Sequence, residues 1–497
     1  MRSLSIAWVL GACLVAGSVS GCDSESQTDD GTGAGGSGEG GEGAGGSIEP
    51  QDGKAMIRIV HASADAPAVD IWVKGGASPI ASALAYGDAS AWLEVDPGTY
   101  DVEIKASPST AADPAVYSTG GIELAEGDKV SAVAAGLLAS TADSTKFRVL
   151  PIREEFSPAG SGNAILRVVH ASADAPTVAI DLHDDDPSAP EITNIDRFTS
   201  TPEAGFPLTA GAALQIGIDA GGSRVTAFTT PALPEGAEIL VIATGLVAEP
   251  ANESDGFALL AIGPEGALGF VRQNPVVYAL HASPNAPSVD LYAGSAALAK
   301  GLSFGNLAGP VRVPPATYTI DFRAAGSSAD SPPAVSASTG ALEAGNQYLT
   351  VATGLLGGAG EQAFRLVSMA DAFDRSKPES ALVRVAHASP DAPMVDLGIL
   401  NVEGVVNPVV VSDLSFGSSS DGAGLDIGLG TIPLGVTPAN ANDAVVASFH
   451  VTTAAGIRAF AIAAGALSPE NGESFRLLAV DTSTNPWSVA TIHPQPQ

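Results

Sequence analysis

The sequence predicts an all-β protein built of four tandem β-sandwich modules, and three observations predict it. One heptapeptide occurs four times, as His61-Ala-Ser-Ala-Asp-Ala-Pro67, His170-Ala-Ser-Ala-Asp-Ala-Pro176, His281-Ala-Ser-Pro-Asn-Ala-Pro287 and His387-Ala-Ser-Pro-Asp-Ala-Pro393. The histidines stand 109, 111 and 106 residues apart (170−61, 281−170, 387−281). A period near one domain length marks an array of similar modules, not a solenoid of short units. Short alternating apolar runs separated by Gly, Pro, Asp and Asn turns fill each period, and no segment after the first 22 residues keeps a long helical repeat.

The heptapeptide reads as a strand running into a turn. Ile57, Ile59 and His61 alternate, as do Leu166, Val168 and His170, then Val277, Ala279 and His281, then Val383, Val385 and His387. Period-two alternation is a strand and puts each His in phase with the apolar residues. Asp65, Asp174, Asn285 and Asp391 precede Pro67, Pro176, Pro287 and Pro393 by two residues. An Asx side chain can bond nearby backbone N–H groups, and Pro fixes φ and removes a donor, so the strand ends there. A second apolar run follows, as in Val69-Asp70-Ile71-Trp72-Val73.

This stretch resembles the domain-of-unknown-function family 4397, whose members open with V-R-V-x-H-A-S-P-D-A-P-x-V-D-V. The resemblance covers nearly everything after residue 54 and implies small extracytoplasmic β-rich modules, often in tandem, with no assigned activity. Two copies depart from the pattern. Tyr278 stands where the others have Arg58, Arg167 and Arg384, and Ala179 stands where the others have Asp70, Asp290 and Asp396.

Residues 1–22 read as an export signal: Arg2, an apolar run from Ile6 to Val19, then Val19-Ser-Gly-Cys22. The run is too short to span a membrane as a helix, which takes ~20 apolar residues. Val-Ser-Gly-Cys resembles a bacterial lipobox, which implies a lipid on Cys22. Of the two cysteines, Cys13 lies inside the apolar run, so Cys22 alone remains after processing. The modules then hold no disulfide, and each relies on its core. Residues 23–54 read as a flexible Gly/Ser/Glu tether. Gly31-Thr-Gly-Ala-Gly-Gly36 matches G-x-G-x-x-G, but no strand precedes it and no helix follows, so the dinucleotide reading fails.

Four β-sandwich modules are expected at 55–157, 163–273, 275–377 and 381–494. Their landmarks recur in order. Module one has Leu84-Ala-Tyr86-Gly87, Pro97-Gly-Thr-Tyr100, Ala134-Ala-Gly136-Leu137 and Phe147-Arg148, and module three has Leu302-Ser-Phe304-Gly305, Pro315-Ala-Thr-Tyr318, Ala352-Thr-Gly354-Leu355 and Phe364-Arg365. Pro-Gly-Thr-Tyr before an alternating strand resembles Ig-like and transthyretin-like sandwiches. About 105 residues suffice for a working core without staples. The boundaries fall at Ser157–Gly162, Gly269–Asn274 and Arg375–Glu379, short enough to predict a semi-rigid rod of modules that fold alone.

With 22 basic and 55 acidic residues the chain carries −33, which argues against nucleic acid and anionic lipid surfaces. Trp72 and Trp92 sit in alternating strands and are expected to be core residues. His61, Ser63 and Asp65 invite a catalytic reading. Yet residues two apart on a strand lie ~6.6 Å apart at Cα, no G-x-S-x-G occurs, and Asn285 replaces the acid in module three, so a structural turn fits better. One motif His per module falls short of the three or four ligands zinc needs. Asp181, Asp184, Asp185 and Asp186 form the densest acidic cluster, whose oxygens suit calcium, although the spacing is not an EF-hand loop and a solvated acidic loop is the alternative. No other cofactor is implied. The expectation is a non-enzymatic, lipid-anchored envelope protein, structural or adhesive, meeting a glycan or envelope protein. The alternatives are an accessory lipoprotein of an envelope assembly and a hydrolase whose site the sequence hides.

Overall fold

The structure is a computed structural model that describes residues 49–182 and 186–496. The signal at 1–22 with Cys22, most of the tether at 23–54, and Asp184 and Asp185 lie outside the described residues. Apart from two short 3-10 turns, the regular structure described is all β-strand.

Each module has two main sheets face to face, and module one adds a two-stranded ribbon of Gly98–Tyr100 with Ile122–Leu124. In module one the inner sheet runs in the order Arg148–Arg153, Lys129–Ala135, Ala55–His61, Leu93–Val95. The outer sheet runs Ala81–Leu84, Val69–Val73, Val102–Ala106, Tyr117–Ser118. The Asx-Pro turn carries the chain from the inner to the outer sheet. The motif strand then pairs in parallel with Lys129–Ala135, Met56 opposite Lys129 and His61 opposite Ala134. A parallel pair needs a long crossover, and the outer sheet supplies it. The same parallel pair forms between Asn163–His170 and Glu238–Thr244, Val276–His281 and Gln347–Thr353, and Leu382–Ala388 and Arg458–Ala464.

The alternation read from the sequence holds on one face. Ile57 and Ile59 point into their own sandwich with Val69, Ile71, Val102 and Ile104. The opposite face meets another module. Val60, Ala62, Val133 and Ala135 share a core with Val169, Leu240, Ile242 and Leu260 of module two. Leu280, Leu349 and Val351 of module three likewise share a core with Phe460, Ile462, Leu478 and Val480 of module four. The modules therefore pack in two pairs, inner sheet on inner sheet. Every residue of Ala55–His61 and of Lys129–Ala135 is buried as a result. The expected rod of independent modules is thus corrected. Periodicity exposed one buried face, and the second is created by a neighbour that periodicity cannot see.

The chain path produces the pairing. In modules one and three the last strand returns to the end where the module began, since Val130 stands opposite both Ile57 and Arg153, and Tyr348 opposite both Val277 and Ala370. A short connection then sets the next module beside its predecessor. Modules two and four add one strand each, Gly266–Val271 and Ser488–Ile492, which carries the chain to the other end. The expected boundary at Gly269–Asn274 therefore starts too early. Gly269 (φ +114°) lies inside the added strand near a register shift, where glycine marks a bulge and not a break.

Several landmarks turn out to be contacts between modules. Phe270 of the added strand lies 5.3 Å from the Tyr86 ring, and a Cβ on Gly87 would come within 2.5 Å of Phe270. Arg148 of module one covers Phe198 of module two at 4.1 Å. Arg365 of module three covers Phe416 of module four at 4.8 Å, and Arg476 of module four covers Phe304 of module three at 5.1 Å. The Trp expectation holds for the burial of Trp72 and is corrected for Trp92. Trp92 is half-buried, lies under the Arg58 guanidinium at 4.3 Å and donates to the Pro264 carbonyl of module two at 2.8 Å. Trp72 is buried outside the sandwich interior, with Lys105 at 4.9 Å and its indole N–H on Ser109 Oγ at 3.0 Å. The half-buried Tyr of the Pro-x-Thr-Tyr landmark bonds back along the chain: Tyr100 and Tyr318 each donate to the carbonyl four residues before them, at 2.7 Å. Burial pushes the Tyr318 hydroxyl up to about 12.

Candidate functional site

The four motif histidines are almost fully buried, at 1–2% exposure. Each ring Nε2 faces the carbonyl of the motif Pro six residues on, at 3.2 Å in module one, 2.9 Å in two, 3.2 Å in three and 3.0 Å in four. A carbonyl only accepts, so Nε2 carries the proton. In modules one and four Nδ1 accepts from the backbone N–H of Ser63 or Ser389, at 3.4 and 3.3 Å. Burial holds all four imidazoles below their ordinary pKa, against the upward pull of the Pro carbonyl. In modules one to three the motif Ser hydroxyls are engaged elsewhere than on the ring. Ser63, Ser172 and Ser283 donate to the carbonyls of Gly136, Gly245 and Gly354 at 2.6–2.7 Å.

The Asx side chains clamp a distant loop. Asp65 accepts from the N–H groups of Leu138 and Ala139 at 2.7 and 2.9 Å, and Asp174 from Val247 and Ala248 at 2.9 Å each. Asp391 accepts from Leu467 and Ser468 at 2.9 Å each. Asn285 holds Leu356 from both sides, accepting from its N–H at 2.8 Å and donating to its carbonyl at 3.1 Å. Local Asx bonding was the expectation, and the partners of Asp65 lie 73 and 74 residues away because the parallel strand ends beside the turn. Gly136 opens this loop with φ +83°, and a Cβ there would lie 2.4 Å from the Lys146 carbonyl, so the recurrent Gly-Leu landmark needs its glycine.

The departures from the family pattern have physical reasons. Arg58 and Arg384 lie on the face away from the His and reach the paired module, donating to the carbonyls of Gly263 at 2.6 Å and Ala370 at 3.1 Å. Tyr278 meets the Trp487 ring of its paired module instead of a carbonyl. Asp70, Asp290 and Asp396 accept from the backbone N–H of Ala83, Gly301 and Asp413 at 2.7–2.8 Å, residues held at φ 53–61°. In module two Asn194 takes that left-handed position without the acid. There the buried carboxylate sits on the neighbouring strand as Asp219, opposite Ala179 and 2.6 Å from Arg224. Arg224 also bonds Asp181, so this calcium candidate is a buried partner of a guanidinium. Asp186 accepts from the Ser188 N–H at 2.9 Å and its hydroxyl at 2.6 Å. Of the cluster read from sequence, Asp181 and Asp186 thus each have partners within the chain, and Asp184 and Asp185 lie outside the described residues.

Sequence reasoning missed one feature. A cavity of about 600 Å³ lies between the two sheets of module three. The strand registers of modules two and three explain it. Leu166, Val168, Leu182, Ile192, Phe206 and Val241 fill the module-two interior, and the positions in register with them in module three are Val277, Ala279, Ala293, Ala299, Val311 and Thr350. The void among the module-two side chains measures about 20 Å³. The run Ala293-Gly-Ser-Ala-Ala-Leu-Ala299 was the signal available in the letters.

Comparison with known proteins gives a family and little else. The profile of the family described as a domain of unknown function (DUF4397) matches residues 55–181 and 275–398, just over half the chain. Each match runs through one module and into the first two strands of the next. No curated protein matches. Among solved structures, the Bacillus anthracis TIE protein aligns at 11% identity and a TM-score of 0.12, over 55% of this chain and 46% of that one.

Proposed function

The chain belongs to the DUF4397 family, and we propose that it is a non-enzymatic, lipid-anchored envelope protein whose paired sandwiches form a structural or adhesive scaffold and meet a glycan or envelope protein through their loops. One observation carries this reading. The motif's polar groups are spent on the chain's own backbone: His Nε2 on a Pro carbonyl and the Asx oxygens on loop N–H groups in all four modules, and the Ser hydroxyl on a Gly carbonyl in three. A Ser-His pair for acyl transfer needs that Nε2 facing the Ser oxygen. The lipobox ending at Cys22 supports the anchor, and the net charge of −33 suits attachment by lipid over attraction to an anionic surface.

The test is fractionation of cells expressing the wild type and Cys22→Ser. The wild type should partition with membranes and into detergent, and the variant should be released. Equal partitioning of the two would defeat the anchor. A glycan and envelope-protein binding screen of the purified full chain tests the adhesive part.

A further inference from the structure

We propose that module three takes up an aliphatic chain of the acyl class in the cavity between its sheets, a role separate from anchoring and from loop-mediated adhesion. Protein interiors are close-packed, and their few voids rarely exceed a water molecule. A space of about 600 Å³ lies instead within the range of small-molecule sites. It comes from truncation at five in-register positions spread over both sheets, not from one missing side chain; the sixth, Thr350, matches Val241 in size.

The wall chemistry selects the occupant. The lining is dominated by Ala, Val, Leu and Ile, and no charged side chain is among the described residues that form it. Its buried hydroxyls are already engaged. Tyr318 donates to the Pro314 carbonyl at 2.7 Å, Thr339 donates to the Gly340 carbonyl at 2.8 Å, and Thr350 bonds Ser368 at 3.1 Å. Water needs two to four polar partners to be held in such a space and finds few here. A sugar or a charged ligand would leave its own polar groups unpaired. An aliphatic chain has none to satisfy and gains by leaving water. Ala296, Leu298 and Val311 line the cavity and are half-exposed, and Ser295 and Thr317 beside them are exposed. A polar headgroup can therefore stay in solvent while the chain is buried. The source is a free fatty acid or the tail of a membrane lipid.

The purified full chain, freed of detergent, is titrated with cis-parinaric acid and competed with palmitate. One saturable, palmitate-displaceable site per chain is expected. Ala293→Leu with Ala299→Ile restores two module-two side chains and should weaken binding roughly tenfold or more while circular dichroism and melting stay native. Absence of saturable binding, or unchanged affinity in the folded double variant, overturns the proposal. Should the double variant fail to fold, Ala279→Val and Val277→Leu taken singly, each restoring a module-two side chain, must each weaken binding for the proposal to stand. Native mass spectrometry after incubation with phosphatidylcholine vesicles or with palmitate assigns the source: intact phospholipid in the complex means a membrane lipid, and palmitate alone means a free fatty acid.

Discussion

Tyr278 lies flat against Trp487, with ring centroids 4.3 Å apart and planes 9° from parallel, although the two belong to different modules. Both rings are buried, and the Tyr278 hydroxyl accepts from the Trp487 backbone N–H at 3.2 Å. Trp487→Ala should therefore cost about 3–5 kcal/mol, the usual loss for truncating a large buried aromatic. Denaturant titration of the full chain should show the loss in the transition of modules three and four, with modules one and two unchanged.

The pair, not the module, should be the smallest unit that folds cleanly. Residues 275–377 alone would expose Leu280, Leu349, Val351 and Met369, which module four covers. Size-exclusion with light scattering should find that fragment self-associated or aggregated, and residues 275–494 monomeric with one cooperative melt. A monomeric, fully stable 275–377 would refute shared cores as a folding requirement.

How far the letters could be read follows from where each contact lies. The motif strand, its turn and the buried His were legible because alternation and Asx-Pro chemistry act within a few residues. Val60 and Ala62 were equally apolar in the sequence, but nothing local says that Leu240 and Ile242 cover them. The Asp65 clamp on Leu138 was hidden because a parallel crossover, which leaves no local mark, brings the two together. The cavity was hidden for a different reason. It consists of side chains that are small, and Ala279 in one strand is unremarkable until set in register with Val168 in another module.

His281→Ala should lower stability by about 1–3 kcal/mol, from lost packing and an unpaired Pro287 carbonyl. The melting temperature of the full chain should fall while palmitate uptake, if present in the wild type, persists in the folded variant. Loss of uptake with an unchanged melt would make His281 a site residue.

Acid should destabilise the protein through these rings. Burial holds the four histidines neutral in the fold, below the ordinary value near 6.5 that they keep in the unfolded chain. Below about pH 6.5 the unfolded chain binds more protons, so stability falls as pH drops from there toward the folded-state values and is complete above. Thermal melts from about pH 7.5 to about 5.5 should show a declining midpoint. A flat profile would mean that the rings are not held neutral.

Asp65→Asn should not be silent, although Asn285 serves in module three. Asp65 accepts from two N–H groups on two oxygens, and an amide would turn its NH₂ toward one of them. The expected cost is about 1–3 kcal/mol. In the opposite sense, Asn285→Asp would set a carboxylate oxygen against the Leu356 carbonyl and should also destabilise. Denaturant midpoints of the two variants check both; neutrality of either would mean that the loop does not depend on the clamp.

The shared cores have a genetic consequence. A duplication copying one module would leave an inner sheet bare on one side, and its product would aggregate. A duplication copying two adjacent modules carries both sides of the interface with it. The unit that inheritance can add or delete here is therefore the pair. Its length is written in the chain, since His61 and His281 stand 220 residues apart (281−61), and His170 and His387 stand 217 apart (387−170).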